Sequence, residues 1–392
     1  MLRNTCMEMR NEKDVIFEIF AVANRRRREV GEENVFDFSL GNPSVPAPPQ
    51  VADAICRITR ETDPLVLHSY SPAGGIGEVR EIIAADLNRR FGMNYRAGNL
   101  FMTSGAAAAL AHAIRAVTNP GDEVMVFAPC FSEYKPYVEG AGCSLNMVPA
   151  DPSSFQIPFE EAEKRITEKT AAVLINSPGN PSGVVYSADT LQRLSVLLEK
   201  KSREFQHPIF LISDEPYRDI VFSGVECPYP ARFYKDTLTC YSFSKSLSLP
   251  GERIGYVAVN PESEWAGTLW ELLVQISRIT GHNGATALMQ RVAAECCSLT
   301  SDLSVYETNR NLLLEALRSF GYECVAPGGT FYMFPRSPLP DAGAFCRMAM
   351  EKDLMLVPGD GFGCPGHFRI AYCVPTSRVE KALPLFRELG CV

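Results

Sequence analysis

Short apolar runs alternate with helical patterns between residues 99 and 259, and this alternation limits the possible folds more than any other feature of the sequence. The apolar runs lie at 100–102, 124–128, 171–175, 209–212, 238–243 and 253–259, and the helical patterns between them at 105–117, 159–168 and 187–204. Strands and helices in alternation form βαβ crossovers. We therefore predict an α/β fold with a mostly parallel sheet that helices cover on both faces.

The length of 392 residues suits two domains, because domains average roughly 150 residues. After about residue 262 the pattern changes to long helical stretches at 262–280, 284–298 and 302–320, a helix near 341–352 and short strands near 330–334, 354–357 and 367–373. We predict a large domain over 46–285 and a smaller α+β domain formed by 1–45 and 286–392. An amphipathic helix over 12–30 is expected to pack against the smaller domain.

Charge and composition exclude several classes of protein. The net charge of −8 argues against a nucleic-acid partner, since such proteins usually carry a basic surface, and the arginines at 25–28 are expected to lie on a solvated helix face. The 13 cysteines include no Cys-x-x-Cys pair, so thiols such as Cys56, Cys240 and Cys346 are interpreted as small apolar residues in a reducing cytoplasm. The five histidines lack metal-ligand spacing, and no metal is predicted.

No stretch of the chain reaches the ~18–20 apolar residues of a transmembrane helix. The N-terminus also lacks an apolar segment typical of a signal peptide. We expect a cytoplasmic protein without a membrane partner.

In open α/β sheets, ligands bind beyond the carboxyl ends of the strands, so the residues that follow each apolar run are the candidates for a site. Ser104, Gly105 and Ala106 follow the first run and lead directly into a helix, where free backbone N–H groups favour an anion such as phosphate. Tight helix packing is the more common explanation of such a run of small residues. Phe131 follows the second run and is either a cover for a planar ligand or a core aromatic.

Later runs are followed by residues with stronger chemical signals. Asn180 lies in a loop rich in Pro and Gly, and Asp214 ends a buried run, where a carboxylate needs a cation or a protonated nitrogen. Lys245 follows a strand directly, and partial desolvation there favours a nucleophilic amine that can form a Schiff base, the alternative being a surface lysine. Arg253 suits a bidentate phosphate contact, and Arg369 lies inside an apolar run, where it needs a carboxylate partner such as that of a substrate.

In this order the motifs resemble the class I aminotransferases, pyridoxal-5′-phosphate enzymes of fold type I similar to aspartate aminotransferase. The resemblance covers most of the chain and rests on residues 41–43, Tyr70, 104–105, 180–181, 214–217, 242–245, Arg253 and Arg369. It implies a large domain with a mostly parallel seven-stranded sheet between helices, plus a small α+β domain. It also implies pyridoxal 5′-phosphate as cofactor and the ping-pong transfer of an amino group between an L-amino acid and a 2-oxo acid.

The resemblance assigns roles to individual residues. Lys245 holds the cofactor as a Schiff base and then moves the proton between the substrate Cα and the cofactor C4′, while Asp214 keeps the pyridine nitrogen protonated. Tyr217 and Asn180 bond the phenolic oxygen of the ring. Phe131 stacks on the ring, Ser104, Gly105, Ala106, Ser242 and Arg253 hold the phosphate, and Ser244 belongs to the same cofactor site.

Substrate and partner roles follow from the same resemblance. Arg369, with the Gly41 backbone and Asn180, binds the α-carboxylate of the substrate. Tyr70 reaches the phosphate of the neighbouring subunit, which implies a homodimer with shared active sites.

The sequence departs from the family pattern at two places, and two functions other than transamination are compatible with it. Position 131 is Phe where many relatives have Tyr or Trp, and residues 106–109 are all Ala where one branch has a lysine for a second substrate carboxylate. A lyase that performs β-elimination needs the same Lys245, Asp214 and Arg369. A non-enzymatic regulator that binds the cofactor would need a DNA-binding module, and the roughly 40 residues before Gly41 show no such pattern.

Overall fold

A computed structural model describes residues 15–282 and 284–390. Residues 12–14, which begin the helix predicted over 12–30, lie outside the described residues. The same holds for residues 1–14 and 391–392 of the predicted smaller domain. The helices are α1 (Val15–Val30), α2 (Pro49–Glu61), α3 (Pro64–Leu67), α4 (Gly77–Phe91), α5 (Ala106–Val117), α6 (Tyr134–Glu139), α7 (Phe159–Arg165), α8 (Ala188–Phe205), α9 (Phe243–Ser246), α10 (Ala266–Thr280), α11 (Ala287–Cys296), α12 (Ser304–Ser319), α13 (Ala342–Glu351) and α14 (Thr376–Gly390). The strands are β1 (Phe36–Asp37), β2 (Leu100–Thr103), β3 (Glu123–Phe127), β4 (Ser144–Val148), β5 (Thr170–Asn176), β6 (Phe210–Asp214), β7 (Thr237–Ser242), β8 (Gly255–Val259), β9 (Tyr332–Met333), β10 (Leu354–Met355), β11 (Val357–Pro358) and β12 (Phe368–Ala371).

A seven-stranded sheet forms the centre of the molecule, with the strand order β2-β8-β7-β6-β5-β3-β4. Only β8 runs antiparallel to its neighbours, so the predicted α/β fold with a mostly parallel sheet is confirmed. Strand β4 was not predicted. It lies at the edge of the sheet and is largely half-exposed, so its sequence lacks the continuous apolar run of the central strands.

Helices cover both faces of the sheet because the strand side chains alternate between two apolar clusters. Val124 and Val126 of β3 pack with α5 and α10 on one face, whereas Met125 and Phe127 pack with α8 on the other. The predicted helices at 105–117 and 187–204 correspond to α5 and α8. The carboxyl ends of β5, β6 and β7 therefore meet at one edge of this layered core.

The C-terminal part forms small sheets and packs against the first helix. Strands β11, β12 and β9 form an antiparallel sheet, while β1 pairs with β10. Helix α1 packs there as predicted, but its arginines are not all solvated. Arg26 bonds to Asp353 at 2.6 Å and Arg27 to Asp37 at 2.8 Å, because these side chains point towards β1 and β10. The expectation of a solvated face fails at these two positions.

The division into 46–285 and 1–45 with 286–392 stays a prediction. Helix α11, which that division gives to the smaller domain, packs through Met289 and Val292 into the apolar cluster that contains α2 and α4. Helices α2, α4 and α14 were not predicted.

The cysteines of the described residues are all free thiols. Cys240 and Cys346 are buried, as expected of small apolar residues, whereas Cys56 is exposed on α2. None of the described helices combines the length and apolar character needed to span a bilayer.

Candidate active site

A cavity of about 410 Å³ lies beyond the carboxyl ends of β5, β6 and β7. Most of the predicted site residues line it: Gly41, Ala106, Phe131, Asn180, Asp214, Tyr217, Ser242, Ser244, Lys245, Arg253 and Arg369. A larger cleft of about 1150 Å³ lies in the C-terminal part, and none of the predicted residues lines it. The smaller cavity is therefore the candidate active site.

Lys245 lies in α9, which begins immediately after β7. Ser242 caps this short helix, because its hydroxyl accepts the N–H of Ser244 at 3.2 Å. The amine Nζ donates to the Gly41 carbonyl at 2.7 Å and has no carboxylate within salt-bridge distance among the described residues. Desolvation lowers the pKa of Lys245 to about 8. A large fraction of this amine is therefore uncharged and nucleophilic in mildly alkaline solution.

Asp214 is the last residue of β6 and is almost fully buried. Its Oδ2 accepts a 2.7 Å hydrogen bond from the Tyr134 hydroxyl, while Oδ1 has no hydrogen-bond partner among the described residues. Burial raises the pKa of Asp214 to about 7, against the opposing effect of the Tyr134 bond. A buried carboxylate oxygen without a donor is costly, so this atom is suited to a protonated nitrogen of a ligand.

Asn176, the last residue of β5, connects two of the predicted positions. Its side-chain oxygen accepts the N–H of Asn180 at 2.7 Å, and its amide donates to the Asp214 carbonyl at 2.8 Å. The loop that carries Asn180 is thus fixed against the end of β6. Tyr217 lies beside it, with its hydroxyl 3.1 Å from that of Tyr332.

Arg369 lies in β12 with its side chain 2 % exposed. It donates to Asn180 Oδ1 at 3.0 Å and to the Ser39 carbonyl at 2.5 Å, and its Nε has no hydrogen-bond partner in the described part of the chain. No carboxylate of the described residues pairs with it. A buried guanidinium with only neutral partners is suited to an incoming carboxylate.

The start of α5 has a geometry that suits the anion site predicted from the sequence. Gly105 precedes the helix with φ at +86°, and no side chain caps the first N–H groups. Arg253 donates to the Ser104 carbonyl at 3.1 Å, and a Cβ on Gly105 would lie 2.6 Å from the Arg253 Nη2. Ser104 and Gly105 do not line the cavity themselves, but they form the turn that holds Ala106 and Arg253 at its wall.

Tyr70, a further predicted residue, does not line the cavity. Its side chain is fully exposed. The role that the resemblance gives it, in the site of a neighbouring subunit, stays a prediction.

Two tyrosines of the site were missed in the sequence. Tyr134 bonds to Asp214, and Tyr332 bonds to Tyr217 while its ring lies 4.7 Å from the guanidinium of Arg369. The one available signal was the spacing of three residues between Phe131 and Tyr134, which places two side chains on the same side of a helical turn. Both tyrosines are otherwise ordinary buried aromatics, so nothing local distinguishes them.

The residues fit pyridoxal 5′-phosphate. The unpartnered Oδ1 of Asp214 suits the protonated pyridine nitrogen, Lys245 offers an amine without a counter-ion, and the open start of α5 suits the phosphate. The three groups line one cavity or form its wall.

Comparisons with known proteins agree with this chemistry. Residues 33–384 match the family model described as aminotransferase class I and II. The chain is 32 % identical to an aspartate aminotransferase of Thermotoga maritima over 90 % of each sequence, and 31 % identical to an aspartate/prephenate aminotransferase of Thermus thermophilus, again over 90 % of each.

Solved structures are similar over nearly the whole chain. An aminotransferase from Eubacterium rectale matches with a TM-score of 0.96 and 46 % identity, over 99 % of this chain and 98 % of that one. The aspartate aminotransferase of Thermus thermophilus with maleate matches with a TM-score of 0.87 and 27 % identity, over 99 % and 100 %. The chain belongs to the class I and II aminotransferases, and it is a transaminase that depends on pyridoxal phosphate.

Proposed function

We propose that this chain moves an amino group between an L-amino acid and a 2-oxo acid by a ping-pong mechanism, with Lys245 as the central catalytic residue. One observation carries the proposal. The Lys245 amine, the Asp214 carboxylate and the Arg369 guanidinium line the same cavity, although Lys245 follows β7, Asp214 ends β6 and Arg369 lies within β12.

In this proposal, separate residues would bind the ring, the ring nitrogen, the phenolic oxygen and the phosphate of the cofactor. Lys245 Nζ would bond it covalently, and Asp214 Oδ1 would pair with the ring nitrogen. Phe131 would pack on the ring face, and Tyr217 and Asn180 would bond the phenolic oxygen. Ser104, Gly105, Ala106, Ser242, Ser244 and Arg253 would surround the phosphate.

Proton transfer would fall to Lys245 in this proposal. The bound cofactor supplies an electron sink for the Cα–H bond of the substrate. The free amine of Lys245, whose pKa of about 8 matches mild alkaline conditions, would take the proton from Cα and return it to the carbon at C4′. The Gly41 carbonyl, 2.7 Å from Nζ, would orient the amine between these two carbons.

The substrate is bound through its α-carboxylate in this proposal. Arg369 would supply two parallel N–H donors, since its side chain is buried and lacks an acidic partner in the described residues. Asn180 would hold the guanidinium in plane, and the Gly41 backbone would border the carboxylate.

Side-chain preference is best tested with a panel of amino acids, because the named relatives act on aspartate or prephenate whereas residues 106–109 are all Ala here. True substrates should convert the absorbance of the bound cofactor to that of the amino form, and addition of a 2-oxo acid should reverse the change. Aspartate, glutamate, aromatic and aliphatic amino acids belong in the panel. Release of pyruvate and ammonia without this reversal would instead identify a lyase.

We also propose a cytoplasmic homodimer in which Tyr70 enters the site of the partner. The support is the exposure of large side chains in one short stretch of the chain, because Leu65, Val66 and Tyr70 are each more than half exposed. The substrate would lie between the predicted large domain, which carries Lys245, and the predicted smaller one, which carries Arg369.

A further inference from the structure

Tyr134 lies behind the candidate site and contacts two of its walls. It opens α6, its side chain is 1 % exposed, and its hydroxyl donates to Asp214 Oδ2 at 2.7 Å. It does not line the cavity of the active site. The bond leaves Oδ1 of the same carboxylate as the oxygen without a hydrogen-bond partner among the described residues.

The phenol can only act as a donor here. Burial and the neighbouring Asp214 raise the pKa of Tyr134 well above its usual value, so the hydroxyl stays protonated. A neutral donor at 2.7 Å favours the ionised form of the carboxylate, and it fixes the carboxylate plane because Oδ2 cannot rotate away without losing its partner.

The ring of the same residue supports Phe131. The two rings meet edge to face, with centroids 5.7 Å apart and planes at 89°. The N–H of Tyr134 also donates to the Phe131 carbonyl at 3.1 Å, which closes the turn after β3. One side chain therefore limits the movement of both the residue proposed for the ring face and the residue proposed for the ring nitrogen.

We propose that Tyr134 is a positioning residue for the cofactor, which orients Asp214 through its hydroxyl and Phe131 through its ring edge. The inference rests on the proposed role of Asp214. Tyr134 touches neither substrate nor cofactor and acts through these two neighbours.

The test compares cofactor binding rather than turnover. Apoprotein is titrated with pyridoxal 5′-phosphate, and the visible circular dichroism per bound cofactor is recorded. Tyr134→Phe removes only the hydroxyl and should weaken binding by about tenfold, the usual effect of one hydrogen bond to a charged group. Tyr134→Leu also removes the ring edge and should reduce the dichroism further, because the ring of the cofactor loses its fixed orientation.

A matched control is Tyr234→Phe, which removes a buried hydroxyl that donates to the Ile209 carbonyl at 2.8 Å, away from the cavity. It should leave cofactor affinity within twofold of that of the unchanged protein. If the Phe variant does not fold, Tyr134→Leu decides the question, because it removes the same hydroxyl and should bind the cofactor at least about tenfold more weakly than the unchanged protein.

A double-mutant cycle separates positioning from general stability. In an Asp214→Asn background, Tyr134→Phe should change cofactor affinity less than twofold, because the charge through which it acts is gone. Equal effects in both backgrounds, or unchanged affinity of Tyr134→Phe, would overturn the inference. Failure of the unchanged protein to bind the cofactor would instead contradict the proposed function.

Discussion

Arg369 and Asn180 are joined by a 3.0 Å hydrogen bond across 189 residues of sequence, and the guanidinium has no acidic partner among the described residues. The bond connects a strand of the C-terminal part to the loop after β5. It fixes the guanidinium at the cavity wall with its charge uncompensated.

Replacing Arg369 by Gln should lower kcat/KM for the best amino acid by about 100-fold or more, since the variant would lose the proposed bidentate, charged contact to the α-carboxylate. The visible absorbance of the bound cofactor should be retained. Steady-state kinetics checks this, with Arg336→Gln as control because Arg336 is exposed and pairs with Glu323. Equal loss in both variants would contradict the assigned role.

Replacing Asp214 by Asn should raise the melting temperature of the apoprotein at pH 8 while it abolishes transamination. The folded pKa of about 7 lies above the usual 3.8, so the carboxyl contributes stability below pH 4 that is lost as the pH rises through 7. The neutral amide has no such loss, and a shift from 3.8 to about 7 makes the gain at pH 8 on the order of 4 kcal/mol.

Melting curves of the two apoproteins between pH 4 and pH 9 measure this difference. It should disappear near pH 4, where both side chains are neutral. Asp53→Asn, on the exposed face of α2, should show no such trend. A constant difference across the range would show that ionisation of Asp214 is not the cause.

The rate at which apoprotein captures the cofactor should follow the uncharged fraction of Lys245. With the pKa lowered to about 8, the rate should rise about tenfold per pH unit below 8 and become constant above it. Stopped-flow absorbance measures the rate. A rise that continues to pH 10 would indicate an unperturbed lysine.

Replacing Gly41 by Ala should lower both stability and kcat/KM, because the new Cβ would lie 1.7 Å from the Tyr332 hydroxyl. Such overpacking costs about 1–3 kcal/mol. Gly98→Ala is the matched control, since nothing lies within 4 Å of a Cβ there. Adding Tyr332→Phe to Gly41→Ala should restore part of the lost stability, because it removes the hydroxyl that the new Cβ would meet. If the double variant is as unstable as Gly41→Ala alone, contact with the Tyr332 hydroxyl is not the cause of the loss.

Mixing Lys245→Ala with Tyr70→Ala should restore activity that neither variant has alone. In a hybrid dimer, one site carries both substitutions and the other carries none, so random exchange gives roughly a quarter of the sites intact. Activity after dissociation and reassociation measures this. Without any recovery, Tyr70 would not act across a subunit boundary.

Much of the site could be predicted because its main residues are charged groups within or directly beside buried, apolar strands, where such groups are rare. Asp214 places a carboxylate at the end of a buried strand, and Arg369 places a guanidinium inside one, so each requires a partner that the neighbouring sequence does not supply. Lys245 likewise places an amine directly after a buried strand.

The remaining residues are of types that are common at their positions, so the sequence alone does not mark them as part of the site. Tyr134 and Tyr332 are ordinary core aromatics until the fold brings Asp214 and Tyr217 to them from 80 and 115 residues away. The half-exposed edge strand β4 likewise lacks the apolar run by which the central strands are recognised.

The place of β2 in the sheet sets an order of assembly during synthesis. Within the described part of the chain its one strand partner is β8, which begins about 150 residues later, so β2 cannot complete this pairing until the chain has been made through Val259. At typical translation rates this delay is roughly 8–30 s. The turn at Ser104 and Gly105, which we propose to be part of the phosphate site, directly follows β2, so that site would be completed only after the chain has been made through β8.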